Sequence, residues 1–307
     1  MAREQLGVCA EANLHGSYLL FNALEGHERV LRHKLARLPQ LFDRLAEHFS
    51  EAMLTGVVAI GSSFWDLLYP DARPAGLTAF PDLSTEDIDL APVPLDILIQ
   101  IRSDRLDVNI IASLQVQQML QGHVELQDQL QGFRYLDGRN LSGFVDAPYN
   151  PKGRAKRQAA LVDAAQQPVF AAGSYVYLQR LAFDAVAWQQ LAVSEQEEIM
   201  GYDKVSGKRL AGAMLLPDSH ITLMLPDPDS SSRVLQQNMP FCLLPQQGLI
   251  QLSFAADTAA LQQQLTNRLG LATQGRGYDL LLNYCRIELS AAFFAPSISF
   301  LELSAKV

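Results

Sequence analysis

The chain has 307 residues, of which 49% are hydrophobic and 19% are charged, and its formal net charge is −9 at pH 7. This length allows two domains of ordinary size, and the negative charge argues against nucleic acid or an anionic membrane surface as a partner. No apolar run approaches the ~18 residues of a membrane span, and the N-terminus has no signal-peptide pattern. We therefore expect a cytoplasmic protein without a membrane partner.

The first half of the sequence predicts the order strand, helix, strand, strand, helix, strand. Leu31, Leu35, Leu38, Leu41 and Leu45 recur at helical spacing, which predicts one amphipathic helix. In chain order, the predicted elements are a strand over 17–22, a helix over 30–49, strands over 56–60 and 95–101, a helix over 107–120 and a last strand within 132–136.

The second half predicts a similar cycle of elements. They are a strand over 174–181, helices over 185–191 and 195–200, strands over 220–225 and 248–254, and helices over 258–269 and 278–289. The repeated order predicts an α+β fold of two tandem duplicated ferredoxin-like (βαββαβ) units, with antiparallel sheets and peripheral helices. We place the two domains at 1–139 and 140–307.

A long connection over 140–167 separates the two cycles, and a long ordered loop in a compact protein is usually functional. It presents Asp146 after an apolar Gly-Phe-Val step and before a turn that contains Pro148. The residues alone leave Asp146 either as the acid of a site or as the cap of that turn. His220, the last histidine of the chain, would by itself be an ordinary half-buried histidine. The basic run 152–157 predicts a solvated face or an anchor for anionic groups.

Ordered motifs along nearly the whole chain resemble those of the dye-decolorising peroxidase family, in its bacterial cytoplasmic branch. The segment Tyr-Leu-Asp-Gly-Arg-Asn-Leu-Ser-Gly-Phe-Val-Asp at 135–146 is similar to the family signature up to its acid, and Asp-Ser-His-Ile at 218–221 contains His220. Further similar segments are Gly-Ser-Ser-Phe-Trp-Asp at 61–66, Asn-Pro-Lys-Gly at 150–153, Asn-Met-Pro-Phe at 238–241 and Phe-Phe-Ala-Pro-Ser at 293–297. The chain is thereby identified as a divergent member of the family.

The resemblance implies a haem-dependent peroxidase with haem b, iron protoporphyrin IX, as its cofactor. Its partners would be hydrogen peroxide and a small aromatic donor of phenolic or dye-like type, and self-association into a homo-oligomer is expected. On this basis His220 is the proximal ligand of the iron. Asp146 is then the distal acid that moves a proton between the peroxide oxygens, and the domain over 140–307 carries the haem pocket.

The resemblance also implies which side chains surround the haem. Ala147, Asn150 and Gln236 are expected at the cofactor. Leu252 and Phe254 share one face of their predicted strand because side chains alternate with period two. The resemblance puts that face over the distal side of the haem, although core packing explains the two residues equally well.

Gln236 departs from the family motif, which has an arginine at this place on the distal side. A guanidinium stabilises the negative charge that develops on peroxide, whereas glutamine offers only a neutral hydrogen bond. Loss of such a donor costs on the order of 10²–10³ in rate. Arg233 lies three residues earlier, and an odd offset in a strand points to the opposite face. The sequence therefore predicts an impaired peroxidase in which no other arginine replaces the charge.

Two further departures concern the surroundings of the haem. The turn Ala147-Pro148-Tyr149 replaces the usual Gly-Thr-Glu of the family. Pro148 favours an extended Ala147, and the bulk of Tyr149 either shifts the pocket mildly or occludes it. A proximal histidine usually donates its second N–H to an acceptor. The position that we align with the family's carboxylate is Asn283, an uncharged amide.

Three functions remain open at this point. The first is an active peroxidase, which His220, Asp146 and the order of the motifs favour. The second is a protein that holds haem through His220 but turns peroxide over poorly, which Gln236, Ala147 and Asn283 favour. The third is a haem-free relative whose cavity is filled by its own side chains.

Overall fold

The computed structural model describes residues 2–225, 232–272 and 277–306. The helices in these ranges are α1 (Leu6–Cys9), α2 (Glu28–Leu35), α3 (Leu38–His48), α4 (Ser62–Leu68), α5 (Leu106–Leu120), α6 (Arg154–Ala160), α7 (Ala185–Gln189), α8 (Val193–Met200), α9 (His220–Met224), α10 (Thr258–Arg268) and α11 (Ile298–Ser304). The strands are β1 (His15–Ala23), β2 (Thr55–Gly61), β3 (Ile97–Ser103), β4 (Val124–Phe133), β5 (Ser174–Phe183), β6 (Leu235–Gln236), β7 (Met239–Leu243), β8 (Gln246–Ala255) and β9 (Cys285–Ala295).

Strands β1 to β4 form the first ferredoxin-like unit, in the antiparallel order β4-β1-β3-β2. Its predicted helix over 30–49 is in fact two helices, because α2 ends at Leu35 and Pro39 lies in the first turn of α3. Proline lacks the N–H that a helix interior needs but is well tolerated where a helix begins. Strand β4 covers 124–133 and thus lies mostly before the predicted range.

Strands β5 to β9 repeat this arrangement, in the order β9-β5-β8-β6, and β7 also pairs with β8. The predicted strand over 220–225 is wrong, since this segment forms helix α9 and the second strand of the unit is divided into β6 and β7. The predicted helix over 278–289 is also wrong. A short 3-10 helix at Leu280–Tyr284 leads into β9, where Ala291, Phe293 and Ala295 alternate into the core with the period of a strand.

The two units join edge to edge into one antiparallel sheet. Strands β2 and β9 pair through Ile60 with Phe294 and through Gly61 with Phe293. Two such units with helices packed around their strands are the predicted α+β architecture of duplicated ferredoxin-like units, which is confirmed. The boundary between the domains over 1–139 and 140–307 stays a prediction.

The sheet curves so that its far edges approach each other. Strand β4 packs near β7, and Gly132 allows this contact, because a Cβ at that position would lie 2.6 Å from the Cβ of Met239. The curved sheet encloses an apolar core, which we call the interior core, to which both units contribute side chains such as Leu98 and Leu178. A second core lies between the sheet and helices α2, α3, α5 and α10. None of the helices in the described ranges is long and apolar enough to cross a membrane.

Candidate active site

A cavity opens on the face of the second unit's sheet that turns away from the interior core. Its apolar walls are Leu181 and Phe183 of β5, Leu249 of β8, Met224 of α9 and Leu281. Its polar lining consists of Asn140, Ser142, Asp146, Tyr149, Tyr202, His220, Gln236, Asn238, Gln251 and Arg268.

His220 lies in the wall of this cavity, at the first residue of α9. Its Nδ1 lies 2.8 Å from Oδ2 of Asp279. A carboxylate can only accept hydrogen bonds, so Nδ1 must carry the hydrogen. In the neutral imidazole this leaves the lone pair of Nε2 free, which is the form in which an imidazole binds a metal.

Asp279 is fully buried, forms an ion pair with Arg268 and accepts the hydrogen bond from His220. Besides His220, its Oδ2 accepts a hydrogen bond of 2.9 Å from Nε of Arg268, and its Oδ1 accepts one of 3.0 Å from the backbone N–H of Leu281. Burial alone would raise the pKa of this carboxyl, but His220 and Arg268 outweigh burial and lower the pKa to about 2. The group is thus a permanent anion behind the imidazole.

The sequence-based assignment of Asn283 as the partner of His220 is wrong. The exposed Asn283 instead accepts a hydrogen bond of 2.7 Å from the hydroxyl of the half-buried Tyr278. The assignment depended on a helix over 278–289, in which Asn283 lies one turn after Asp279. Because the segment is a 3-10 turn followed by a strand, only the earlier residue reaches the imidazole. The expected loss of charge behind His220 does not occur.

Asp146 reaches the same cavity from the connection between β4 and α6. Burial raises the pKa of its carboxyl, and a hydrogen bond from Asn238 and the charge of His220 partly oppose this rise. Nδ2 of Asn238 donates to Oδ1 of Asp146 over 3.3 Å. Sequence reasoning missed Asn238, although it lies two residues after Gln236 and period two would have placed both on one face.

Gln236 lies on β6 with its side chain in the cavity and its backbone held by Asn150. Oδ1 of Asn150 accepts from the backbone N–H of Gln236 over 2.9 Å, and its Nδ2 donates to the backbone carbonyl over 2.7 Å. Asn150 therefore positions Gln236 and is absent from the cavity lining. The side-chain Oε1 of Gln236 accepts from Asn238 over 3.1 Å and from the hydroxyl of Tyr149 over 3.3 Å.

Arg233 does not supply the missing distal charge. Its side chain is 70% exposed and forms an ion pair of 2.6 Å with Asp257 at the surface. The expectation that Arg233 does not replace the charge is confirmed, although strand parity is not the reason, because β6 begins only at Leu235.

Tyr149 lies between the two sides of the cavity. Its ring centroid is 6.4 Å from that of His220, while its hydroxyl bonds to Gln236 on the other side. The backbone that leads to it is strained, because Ala147 has φ of 39°, in the left-handed region that disfavours a Cβ. The expectation of an extended Ala147 is therefore wrong, since the geometry of the turn overrides the preference imposed by Pro148.

Leu252 and Phe254 do not line the cavity, contrary to the sequence-based expectation. Both are fully buried in the interior core. They share a face, as predicted, but the neighbouring residues Leu249 and Gln251 of β8 face the cavity. The two-residue period of a strand fixes which side chains share a face. Only the packing of the sheet decides which face is buried in the interior core and which lines the cavity.

The basic run over 152–157 lies outside the cavity as well. It forms the start of α6, where Lys156 pairs with Glu11 over 2.7 Å and Arg157 pairs with Glu4. The run thus ties the N-terminal segment to the connection between the units, and no residue of it lines the candidate active site.

Two family models match this chain over most of its length. The model described as Dyp-type peroxidase, N-terminal, matches residues 5–134, and the one described as Dyp-type peroxidase, C-terminal, matches residues 137–300. Among curated proteins, the dye-decolorizing peroxidase of Rhodococcus erythropolis PR4 is 30% identical over 289 residues, which cover 93% of this chain and 84% of that protein. A dye-decolorizing peroxidase of Brevibacterium linens is 29% identical over 290 residues, covering 93% of this chain and 78% of that protein.

Solved structures of the same kind superpose closely. A putative dyp-type peroxidase protein of Shewanella oneidensis is 35% identical, with a TM-score of 0.94 over 99% of both chains. A variant of DypB of Rhodococcus jostii RHA1, solved in complex with heme, is 28% identical, with a TM-score of 0.91 over 98% of this chain and 99% of that one.

A duplicated ferredoxin-like fold that brings an imidazole, a buried carboxylate and a second carboxyl to one cavity defines a haem peroxidase. The chain belongs to the dye-decolorising peroxidase family. Haem is the cofactor of this family, and the residues present fit it. His220 offers a free Nε2 supported by a buried anion, and Asp146 offers an acid. Tyr149 lies between His220 and Gln236, so its side chain must share this space with haem or move.

Proposed function

We propose that the protein oxidises small phenolic or dye-like donors with hydrogen peroxide, at a rate reduced by the absence of a distal guanidinium. The observation that carries this proposal is the bond between His220 and the buried Asp279, in the same cavity as Asp146. An imidazole with an anion behind it and a carboxyl before it is the set of groups that haem-dependent peroxide chemistry requires.

His220 would bind the iron through Nε2. Asp279 accepts the hydrogen of Nδ1, which fixes the tautomer and the ring orientation and increases the basicity of the ligand. Arg268 shares the same carboxylate oxygen and so moderates this effect. When bound, haem supplies the redox chemistry that couples the reduction of peroxide to the oxidation of the donor.

Asp146 would move one proton in each turnover. Its carboxylate accepts a proton from one oxygen of hydrogen peroxide and returns it to the other oxygen, which leaves as water. Asn238 holds the carboxyl through the bond to Oδ1. Because burial raises the pKa of Asp146, the rate should fall as the pH drops through that raised value, since a protonated acid cannot accept the proton.

Gln236 would limit the rate. Its Oε1 already accepts bonds from Tyr149 and Asn238, and the amide carries no charge that could stabilise negative charge developing on peroxide. Loss of one preorganised donor costs on the order of 10²–10³ in rate. The proposal therefore includes measurable but slow turnover.

The position of Tyr149 favours a second candidate function, a haem-binding protein with little or no turnover. A ring 6.4 Å from that of His220 and bonded to Gln236 competes with haem for space and covers the distal groups. Under this alternative, haem is held through His220 but peroxide reaches Asp146 poorly.

The deciding experiment is a titration of the purified protein with hemin, followed by one addition of hydrogen peroxide and of a phenolic donor. We expect one-to-one binding with a Soret band, loss of that band in His220→Ala, and slow donor oxidation. Tight binding with no oxidation would support the second function. Normal haem occupancy in His220→Ala would refute the assignment of His220 as the iron ligand. If the ring of Tyr149 competes with haem for space, Tyr149→Ala should bind hemin more tightly.

We also propose that the protein acts in the cytoplasm and self-associates into a homo-oligomer. Its three cysteines, Cys9, Cys242 and Cys285, are unpaired, which suits a reducing compartment. The oligomeric order is to be measured by light scattering of the haem-loaded protein.

A further inference from the structure

A second cavity adjoins the candidate active site. It shares Asp146, Gln236 and Asn238 with the first cavity. Four cationic side chains line it, and we call it the basic cleft after them. They are Arg102, Arg134, Arg139 and Lys156.

The charges of the basic cleft are only partly neutralised. Arg139 pairs with Asp137 over 2.8 Å, and Lys156 pairs with Glu11. Among the described residues, neither Arg102 nor Arg134 has a carboxylate within ion-pair distance. A cationic cleft in a molecule with a net charge of −9 attracts anions locally, because the field depends on the nearest charges more than on the total.

Arg102 is the unusual member of this group. It lies on β3 and is only 3% exposed. Its Nη2 donates to the backbone carbonyl of Glu11 and, over 3.4 Å, to Oδ1 of Asn13, while its Nε has no hydrogen-bond partner among the described residues. Burial lowers the pKa of its guanidinium. The charges of Glu11 and Asp104 oppose this fall in pKa, but neither carboxylate touches the guanidinium. A buried charge without a counter-ion in contact is costly, and an anion bound in the cleft would reduce that cost.

Two neighbouring polar atoms are also unsatisfied. The hydroxyl of Tyr18 and Oε1 of Gln100 are buried without a partner in the described part of the chain. Gln100 lies two residues before Arg102 on β3, so both side chains point to the same face of the strand. Unpaired buried polar groups are rare in folded proteins. Tyr18 and Gln100 lie opposite each other on β1 and β3 and do not line the basic cleft, so among these groups the proposal depends on the unpartnered Nε of Arg102.

The walls of the basic cleft are aromatic and apolar beside these charges. Phe133 and Tyr135 line it with ring centroids 6.4 Å apart, and Met239 and Pro240 complete this side. Aromatic walls next to a planar guanidinium suit a flat ligand with a carboxylate, because the guanidinium fork matches the two carboxylate oxygens.

We propose that the basic cleft binds a phenol that carries a carboxylate, with the carboxylate at Arg102 and the ring against Phe133 and Tyr135. The role of this ligand as electron donor rests on the proposed peroxidase function, whereas its binding does not. In each turnover two such phenols would each lose one electron and one proton, and hydrogen peroxide would gain them and become two waters.

The first test measures binding alone, on the full chain without added haem. Ligand-observed 19F NMR would compare 4-fluorobenzoate with the neutral 4-fluorobenzamide. We expect the carboxylate to bind and the amide to bind at least about tenfold more weakly. Arg102→Met, which keeps the length of the side chain, should weaken the carboxylate at least about tenfold, while the exposed Arg44→Met on α3 should not change it.

Two outcomes of this test would overturn the proposal. One is equal binding of the acid and the amide, and the other is unchanged binding of the acid in Arg102→Met. If Arg102→Met does not fold, Arg134→Gln at the exposed rim replaces it. We expect this variant to lose a smaller but measurable part of its affinity for the carboxylate. An unchanged affinity would count against the site.

The second test uses the haem-loaded protein and separates the site from the peroxidase function. We expect a lower KM for 4-hydroxybenzoate than for 4-hydroxybenzamide. In Arg102→Met, the KM for 4-hydroxybenzoate should rise while kcat changes little. If NMR shows binding but neither donor is oxidised, the binding site is supported and the proposed peroxidase function is refuted. If both donors are oxidised with equal KM, the peroxidase function is supported and the proposed binding site is refuted.

Discussion

At the scale of single residues, Asp279 links the candidate haem ligand to the core. One oxygen of its carboxylate accepts bonds from His220 and Arg268, and the other accepts from a backbone N–H. Arg268 in turn donates to Gln251 of β8 over 3.0 Å. The orientation of the imidazole is therefore fixed by a buried network that reaches the sheet, which suits a ligand that must hold one geometry.

We predict that Asp279→Asn destabilises the protein by about 3–5 kcal/mol at pH 7, since it leaves the buried charge of Arg268 without its counter-ion. The pKa of Asp279 is about 2 in the folded state and near the ordinary 3.9 when unfolded. Its contribution is therefore complete above pH 4 and is lost as the pH falls towards 2. Urea unfolding at pH 7 and pH 3 should show a smaller difference between variant and wild type at pH 3.

The matched control for this prediction is Asn283→Ala. Asn283 is exposed and its side chain bonds, among the described residues, only to Tyr278, so we expect a change within about 0.5 kcal/mol. A larger loss of stability in Asn283→Ala than in Asp279→Asn would indicate that Asn283, and not Asp279, is the partner of His220.

We predict that Gln236→Arg raises the rate of donor oxidation, by as much as 10²-fold on the order-of-magnitude estimate for one such donor. A guanidinium near Asp146 also lowers the pKa of that carboxyl, so the acid limb of the pH–rate profile should move to lower pH. Stopped-flow kinetics of the haem-loaded variant checks both. An unchanged rate with full haem occupancy would show that Gln236 is not the limiting defect.

At the scale of elements, the connection between β4 and α6 acts as a fixed support for Asp146. Arg139 bonds from the connection to the carbonyls of Gly143, Lys204 and Val205, and the hydroxyl of Tyr202 donates to the carbonyl of Val145 over 3.0 Å. These contacts bind the loop to the segment after α8. A long loop is thus held in one conformation by bonds to a neighbouring segment, which an acid that must meet a substrate requires.

The strain at Ala147 belongs to this loop. A residue with a Cβ in the left-handed region costs about 1–2 kcal/mol relative to glycine, and the greater freedom of unfolded glycine offsets part of the gain. We predict that Ala147→Gly stabilises the protein by up to about 1 kcal/mol, against the usual direction of an alanine-to-glycine change. Chemical denaturation measures the effect, and Ala160→Gly in α6, which should destabilise, is the control.

The broken strand β6–β7 explains how two amides enter the site. Gln236 and Asn238 face the cavity, while Gln237 between them turns to the interior core, where it donates to the carbonyls of Gly7 and Val8 and accepts from Gln100. This anchor on the interior side holds the strand where it stops pairing regularly. Alternation then directs both of its neighbours to the cavity.

At the scale of the whole molecule, the two ferredoxin-like units share one sheet and one interior core. Trp65 of the first unit packs against Phe294 of the second with ring centroids 5.5 Å apart, and Phe294 pairs with Ile60 across the junction. We propose that the chain divides into domains over 1–139 and 140–307, and that these two domains unfold together in one cooperative transition. A core that both units complete leaves neither one stable alone.

The chain offers a direct measurement of this cooperativity, because its two tryptophans lie in different units. Trp65 and Trp188 are both buried, so each reports on its own half. We predict that the single-tryptophan variants Trp65→Phe and Trp188→Phe show the same midpoint of urea unfolding by fluorescence and by circular dichroism. Two separated midpoints would mean that the units unfold independently.

The sequence by itself determined the architecture and the principal chemistry. Periodicity gave the order of strands and helices, with errors where proline ended a helix early and where short apolar segments fitted helix and strand equally. Motif order brought out His220, Asp146 and the uncharged Gln236, because these residues lie in local patterns that one sequence displays.

Only the tertiary structure decided which groups support those residues. Asp279 meets His220 across 59 positions of the chain, and no local pattern distinguishes it from Asn283. The same holds for Tyr149 between the two sides of the cavity, and for Leu252 and Phe254 in the interior core. Local periodicity fixes which side chains share a face, whereas contacts between distant segments and the choice of the buried face arise only when the whole sheet packs.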